Sequence, residues 1–294
     1  MFTAFKNWWA KHRQTSVDQR TQEIVQRRSV ADALWQSTLM QLPFIATLPA
    51  LDRARLRVLV SLFLDSKEFS GAQGMQVNDA QAVMVACQAS LPILHIAPAN
   101  RPDLALAWYD GFVGIVLHPA AVRARREWID EAGVAHSGSE ELTGEILEGG
   151  PLMLAWSDVA AAGNTAKEAY NVVIHEFIHV MDVRDGAADG CPPMPAAQRK
   201  AWLATLQAAY EAFCEASQAW QRFGGLQGDA DPVLDPYGTS SIDEFFAVAA
   251  EAYFVQPERF AARYPALQAQ FDAFFKPAEL QQTQAAAAHA ARRR

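Results

Sequence analysis

Cysteine is scarce: three residues, Cys87, Cys191 and Cys214, are scattered over a chain of 294. That number and spacing exclude a disulfide framework and a thiolate metal site, and suit reduced, partly buried thiols. Basic charge is also short, with 25 Lys and Arg against 33 Asp and Glu and a net charge of −8. Contacts to phosphate need a basic surface, so direct nucleic-acid binding is excluded as a general role. No apolar run reaches membrane-spanning length, and the N-terminal Lys6, Lys11 and Arg13 precede no apolar stretch of secretion-signal length. No internal repeat and no clear linker interrupts the chain. The expectation is a cytoplasmic protein with one domain over residues 1–280, helical over 1–70, and a flexible tail over 281–294.

Apolar residues make up 51% of the chain, ample for a core. Helical patterns are read at 16–41, 52–64, 79–90 and 198–223, and in the apolar stretch 242–255 that Pro257 ends. Residues 1–13 read as a separate short helix whose aromatics, Phe2, Phe5, Trp8 and Trp9, pack on the domain rather than on a membrane. Strands are expected at Ile93-Leu94-His95-Ile96, at 111–117 and at 152–156, with a loop or edge hairpin over 128–150. Loops rich in Gly, Pro and Asp are expected at 184–195 and 224–236. Such a mixture of helices and a few short strands is an α+β pattern.

The most informative stretch is Asn171-Val172-Val173-Ile174-His175-Glu176-Phe177-Ile178-His179-Val180-Met181-Asp182. Residues i and i+4 share a helix face, so His175 and His179 can grip one metal ion through two ring nitrogens. Glu176 projects beside them, placed to take a proton from a water that the metal acidifies. Val, Ile, Phe and Met surround these three, as in a helix buried inside a domain, where unpaired polar groups are costly. Thr165 and Glu168 read as a capping box and Gly186 as a stop, which predicts a helix over 165–184. His-Glu-x-x-His fixes only a few positions and recurs by chance; the buried helical context separates this instance from a coincidence.

A catalytic zinc usually takes three protein ligands and leaves one position for water. A third histidine six residues after His179, with glycine at the third, is ruled out because Asp185 and Asp182 stand there. His12, His95, His118, His136 and His289 lie at termini, strand ends or a loop and read as solvated or hydrogen-bonded histidines. A carboxylate from Ser241-Ile242-Asp243-Glu244-Phe245-Phe246-Ala247-Val248-Ala249-Ala250-Glu251 remains. Glu244 leads as third ligand, ahead of Glu251 and Asp235, since a carboxylate flanked by Phe245 and Phe246 calls for a partner. Its bland alternative is a helix-start acid favoured by the macrodipole, a role that Asp243 can fill. Glu251 and Asp182 are candidates for holding a ligand histidine from behind. Tyr237, in Asp235-Pro236-Tyr237-Gly238, is either an oxyanion stabiliser or a turn tyrosine covering the core.

These residues resemble the Mlc titration factor A family of bacterial zinc peptidases. The resemblance rests on Trp108-Tyr109-Asp110-Gly111, Gly150-Pro151-Leu152-Met153-Leu154-Ala155-Trp156, the histidine segment 171–179, and Asp243-Glu244-Phe245-Phe246-Ala247-Val248, and covers roughly residues 42–257. It implies a gluzincin-like, zincin-type peptidase core with helical N- and C-terminal parts, distantly similar to the catalytic domain of anthrax lethal factor. It places the Zn²⁺ ligands on His175, His179 and Glu244, the general base on Glu176 and an active-site tyrosine on Tyr237. It also implies a partner, since the family's namesake binds the glucose repressor Mlc and so touches sugar-uptake control. The acidic loop 224–235 and the Gln/Ala/Arg tail depart from the family's pattern. Two functions follow as expectations. One is a peptidase, of aminopeptidase type, whose strand at 152–156 pairs with an extended substrate. The other is a non-catalytic protein that sequesters a transcriptional regulator around a structural zinc.

Overall fold

Prolines punctuate the helical parts of the chain. The computed structural model describes residues 2–120, 122–129, 135–142, 150–223, 234–278 and 280, excepting the side chains of 2–14, 122–129, 135–142 and 220–223. Helix α1 (Phe2–Arg27) is followed by α2 (Asp32–Gln41), α3 (Pro43–Ala46) and α4 (Ala50–Ser66). Pro43 opens α3 and Pro49 precedes α4, positions where proline's missing N–H leaves no bond unmade. The sequence reading that put one helix at 1–13 and another at 16–41 is corrected: α1 is continuous, and the break falls at 28–31. That break is held from α4, where the Arg57 guanidinium donates to the Val30 carbonyl and to Asp32 Oδ1. A turn fixed by so distant a partner leaves no local periodicity to read.

Strand β1 (Glu68–Gly71) leads to α5 (Asp79–Ala89), α6 (Pro102–Leu106) and a 3-10 turn at Ala107–Tyr109. Then come β2 (Gly114–His118), β3 (Val122–Ile129), β4 (Ala135–Leu142), β5 (Leu152–Ala155) and α7 (Trp156–Thr165). β1, β2 and β5 form a parallel sheet in that order, with Phe69 beside Ile115 and Val116 beside Met153. β3 and β4 pair with each other in antiparallel register, Val122 opposite Leu142. The fold is therefore α+β, helices around a small parallel sheet whose last strand, β5, is an edge among the described residues. Ile115, Leu117, Leu152 and Leu154 face inward and are buried.

The expected strand at 93–96 is not one. Pro92 and Pro98 bracket a series of turns that sends Leu91, Ile93 and Leu94 into the core, and sheet pairing goes to residues 68–71 instead. The apolar run is core filling rather than a ladder; proline's missing donors disfavour a central strand there.

Helix α8 (Val172–Asp182) carries the histidines and is followed by α9 (Ala196–Phe223), α10 (Ile242–Val255), α11 (Pro257–Arg263) and α12 (Pro265–Phe275). Phe177 turns away from the histidine face into a nest of rings from α4 and the loop before β2. Its centroid lies 5.6 Å from Phe63, 4.7 Å from Tyr109 and 5.8 Å from Phe112. α10 is held in turn by Phe246 against Trp202 (5.5 Å) and Phe271 (5.6 Å). Edge-to-face packing of this kind adds about 0.5–1.5 kcal/mol per pair beyond area burial. The two helices that bear the candidate ligands are thus fixed by different members of one buried cluster that includes residues from Val30 to Phe275. Among the described residues, no helix is long and apolar enough to cross a membrane. The N-terminal aromatics, most of the acidic loop and the tail over 281–294 lie outside the described side chains or residues.

Candidate metal centre

α8 begins later than the capping-box reading predicts. Thr165 is the last residue of α7, Ala166–Glu168 is a 3-10 turn, and Ala169 enters the left-handed region (φ 61°) to redirect the chain. Asn171 is the true cap: its Oδ1 accepts the Ile174 N–H at 2.9 Å. Thr165 instead donates its hydroxyl to the Tyr170 carbonyl at 3.0 Å, across the turn. At the other end, Gly186 stands at φ 92°, as a stop signal there predicts. The helix is correspondingly shorter than 165–184, and its histidines sit in its middle.

His175 Nε2 lies 3.2 Å from His179 Nε2 and 3.0 Å from Glu244 Oε2, and His179 Nε2 lies 3.3 Å from the same oxygen. Three donor atoms from two helices thus meet at one point, where His175, His179 and Glu244 form a group able to hold a metal ion. Tetrahedral zinc with Zn–N distances of about 2.0–2.1 Å sets its ligand atoms roughly 3.3 Å apart, close to the spacing found. The donor chemistry fits as well. His175 Nδ1 is 2.7 Å from Glu251 Oε1, and a carboxylate there can only accept, so Nδ1 carries the hydrogen. In neutral His175 that leaves Nε2 as a lone pair facing a second imidazole and a carboxylate, an arrangement that calls for a cation. Burial works against charge on His175, yet Glu244 and Glu251 outweigh it and raise its pKa well above the ordinary value. Burial likewise pushes Glu244 up, but hydrogen bonds from both histidines hold it below the usual carboxylate range.

Of the carboxylates left open by the sequence, only Glu244 reaches the converging atoms. Glu251 stands behind His175, and Asp235 Oδ1 accepts the Tyr237 N–H at 2.8 Å, opening the 3-10 turn Pro236–Thr239. Ser241 caps α10 and so places Glu244 in its first turn. Tyr237 is half exposed, at 51%, and its hydroxyl donates to Glu244 Oε1 at 3.3 Å. Its ring centroid is 6.1 Å from that of His175. The tyrosine therefore borders the candidate metal atoms rather than covering the core. Glu176 is buried, and its charge contributes to raising both His175 and Tyr170. Tyr170 is pushed up first by burial, then by Asp158, Glu251, Glu176 and Asp235, the mark of an acidic surrounding.

Asp182 does not hydrogen-bond His179. Its Oδ2 accepts the Gly190 N–H at 2.9 Å, and its Oδ1 is buried without a hydrogen-bond partner. Gly190 (φ 73°) is packed so closely that a Cβ would stand 2.7 Å from Leu206 Cδ2 and 3.0 Å from the Ile242 carbonyl. Its carbonyl accepts the Trp202 indole N–H at 2.7 Å, which ties the end of α8 to α9 and to the start of α10. Burial pushes the Asp182 carboxyl up from 3.8 to about 6. Because the folded value is the higher one, protonation stabilises the fold; that contribution is complete below about pH 4 and lost by about pH 6. Asp182→Asn keeps an acceptor for Gly190 and removes the charge. It is expected to stabilise metal-free protein at pH 8 by roughly 3 kcal/mol at most, seen as a higher melting temperature, with the advantage shrinking as pH falls from 6 toward 4. Calorimetry across that range checks it; an equal gain at pH 4 and pH 8 would refute the buried-charge account.

Of the remaining histidines, the two with described side chains, His95 and His118, are not part of the converging group. His95 pairs with Asp52 at 3.5 Å, His118 ends β2, and the other three lie outside the described side chains. Gln88 and Asn171 are functional-site neighbours that the motif did not disclose. Both are fully buried, and Asn171 Nδ2 donates to Gln88 Oε1 at 2.8 Å. A glutamine inside the apolar run Ala82–Ala89 was the available signal.

Known proteins match most of the chain. The sequence profile of the family described as glucose-regulated metallo-peptidase M90 matches residues 15–276. A protein called Mlc titration factor A from Salmonella arizonae is 32% identical over 258 residues, covering 87% of this chain and 94% of its own. Its namesake from Salmonella choleraesuis is 30% identical over 270 residues, 92% and 94% of the two chains. That from Edwardsiella ictaluri is 32% identical over 241 residues, 82% and 86%. The matched span exceeds the 42–257 on which the resemblance was drawn and includes both helices that bear the candidate ligands. With profile and relatives agreeing over most of its length, the chain belongs to the glucose-regulated metallo-peptidase M90 family.

Proposed function

We propose that this chain is a zinc-dependent peptidase with a gluzincin-like core, in which His175, His179 and Glu244 hold the metal. The observation that carries the reading is the meeting of their three donor atoms at 3.0–3.3 Å beside a buried Glu176 that is not one of them. A bound zinc ion would supply Lewis acidity, polarising a peptide carbonyl and making water easier to deprotonate. Glu176 accepts the proton of the attacking water and delivers it to the departing amine. Tyr237 turns its hydroxyl from Glu244 to the carbonyl oxygen as negative charge develops there; its half exposure leaves room for that turn. The edge of β5, unpaired in the sheet among the described residues, lends backbone N–H and C=O groups to an extended substrate. Asp158 and Asp235, both near Tyr170, suit a substrate with a free amino group, so aminopeptidase-type cleavage is the expected preference. Three free thiols suit the cytoplasm.

Metal analysis and hydrolysis of a panel of amino-acid and peptide amides, with and without chelator, test the proposal. About one zinc per chain and chelator-sensitive cleavage are expected; a protein without zinc would overturn it. Tyr237→Phe is expected to lower kcat by roughly 10²-fold with zinc content unchanged. Steady-state kinetics check this, and an unaltered kcat would remove Tyr237 from the mechanism.

The relatives' name favours a second reading, in which the chain binds an Mlc-like repressor and its zinc is structural. Glu176 separates the two, because a structural site needs no base beside the metal. Binding of a regulator and peptidase activity are compatible on one chain.

A further inference from the structure

The polar groups behind His175 form a connected set of hydrogen bonds with one self-consistent assignment of donors and acceptors. It starts on α5, where Gln88 Nε2 donates to the Met84 carbonyl at 3.0 Å. A carbonyl only accepts, so the amide nitrogen must face it and Gln88 Oε1 must point the other way. That oxygen takes Asn171 Nδ2–H at 2.8 Å, which obliges Asn171 Oδ1 to face α8, where it accepts the Ile174 N–H at 2.9 Å. The Asn171 carbonyl accepts the His175 N–H at 3.0 Å, and its N–H donates to Glu251 Oε2. Glu251 Oε1 takes the hydrogen of His175 Nδ1 at 2.7 Å. Gln88, Asn171 and Glu251 are each at most 1% exposed, so no solvent can replace a missing partner. Each amide has one workable orientation. Reversing either would set two acceptors or two donors face to face in a dry interior, an expensive arrangement.

From this geometry we infer that Gln88 is a positioning residue for the metal centre: it holds Asn171, whose N–H holds Glu251, and so steadies the carboxylate that keeps the hydrogen on His175 Nδ1 and sets where the ring points. The inference deepens the peptidase reading and rests on it for its meaning. Gln88 touches neither metal nor substrate; it sets the orientation of Asn171, whose backbone both starts the histidine helix and shares Glu251 with His175. An α5 side chain, 83 residues from Asn171 in sequence, thereby enters the definition of the site.

The test uses the full chain with Gln88→Met, which keeps length and volume but has no amide. Cys87→Ala is the control: Cys87 is buried next to Gln88 on α5 and contributes nothing to the relay. Zinc affinity is measured by competition with a chelating dye. The hydrogen-bonded His175 Nδ1–H is followed by ¹H–¹⁵N spectroscopy of metal-free protein. Gln88→Met is expected to weaken zinc binding roughly 10- to 100-fold and to shift or broaden the Nδ1–H signal. Cys87→Ala should change neither, even at an equal loss of melting temperature. On a Glu251→Gln background, Gln88→Met should add little, because both act through the same bond. Wild-type zinc affinity and an unaltered Nδ1–H signal in Gln88→Met, or equal losses in the two variants, would overturn the inference. If the wild type itself binds no zinc, the peptidase reading fails, while the Nδ1–H signal still decides the relay.

Discussion

Glu176→Ala is expected to lower kcat/KM for any peptide the protein cleaves by roughly 10²- to 10⁴-fold while the zinc stays bound. The separation of the two properties follows from position. The atoms that meet at the candidate metal site belong to His175, His179 and Glu244, and Glu176 is outside that set. It nevertheless lies buried on the same helix, close enough to raise the pKa of His175, so its carboxylate is held at the site without being a ligand. On the proposed mechanism, truncation therefore removes the proton carrier and leaves the three proposed metal donors as they are. Glu176→Gln makes the comparison cleaner, since it keeps the side chain's volume and drops only the basicity. Hydrolysis and metal content measured on the same preparations give the answer. Activity that survives both substitutions would sink the general-base mechanism. Unchanged affinity for a repressor in the same variants would show that partner binding, where it exists, does not depend on catalysis.

What the sequence disclosed follows the range of the interactions involved. His175 and His179 were legible because four residues of helix dictate their shared face, whatever surrounds them. Glu244 was legible because a carboxylate next to Phe245 and Phe246 in an apolar helix demands a partner, and the structure supplies two histidines. The start of α8 was misread for the opposite reason. Thr165-x-x-Glu168 satisfies a local capping pattern, but Ala169 in the left-handed region breaks the helix, and Asn171 caps the second piece. β1 escaped notice since its pairing partner β2 begins 46 residues later in register, Glu68 beside Gly114. The run 93–96 looked like a strand because burial alone, without periodicity, does not separate core filling from a ladder. Gln88 was hidden in the same way. Only contact with Asn171 tells a buried glutamine on α5 from a mere oddity.

Removing a ligand should have the largest effect of any substitution on metal content, and it also ranks the carboxylates. A four-ligand structural zinc site binds with about 10–16 kcal/mol, so one ligand contributes roughly 3 kcal/mol or somewhat more, a loss in affinity of about 10² or greater. Glu244→Ala and His179→Ala are each expected to fall in that class and to leave purified protein well below one zinc per chain. Glu251→Gln should cost less, roughly 10- to 100-fold, because Glu251 only holds His175 from behind. Glu244→Ala also takes away the carboxylate between two imidazoles whose Nε2 atoms are 3.2 Å apart. Without it the pair has no acceptor to share, so the metal-free variant should lose melting temperature as well. The order of zinc affinities, wild type above Glu251→Gln above Glu244→Ala, is the decisive result. If Glu251→Gln instead abolished binding and Glu244→Ala spared it, the ligand would be Glu251. The 3.0–3.3 Å convergence on Glu244 Oε2 would then describe a buried ion pair rather than a metal centre.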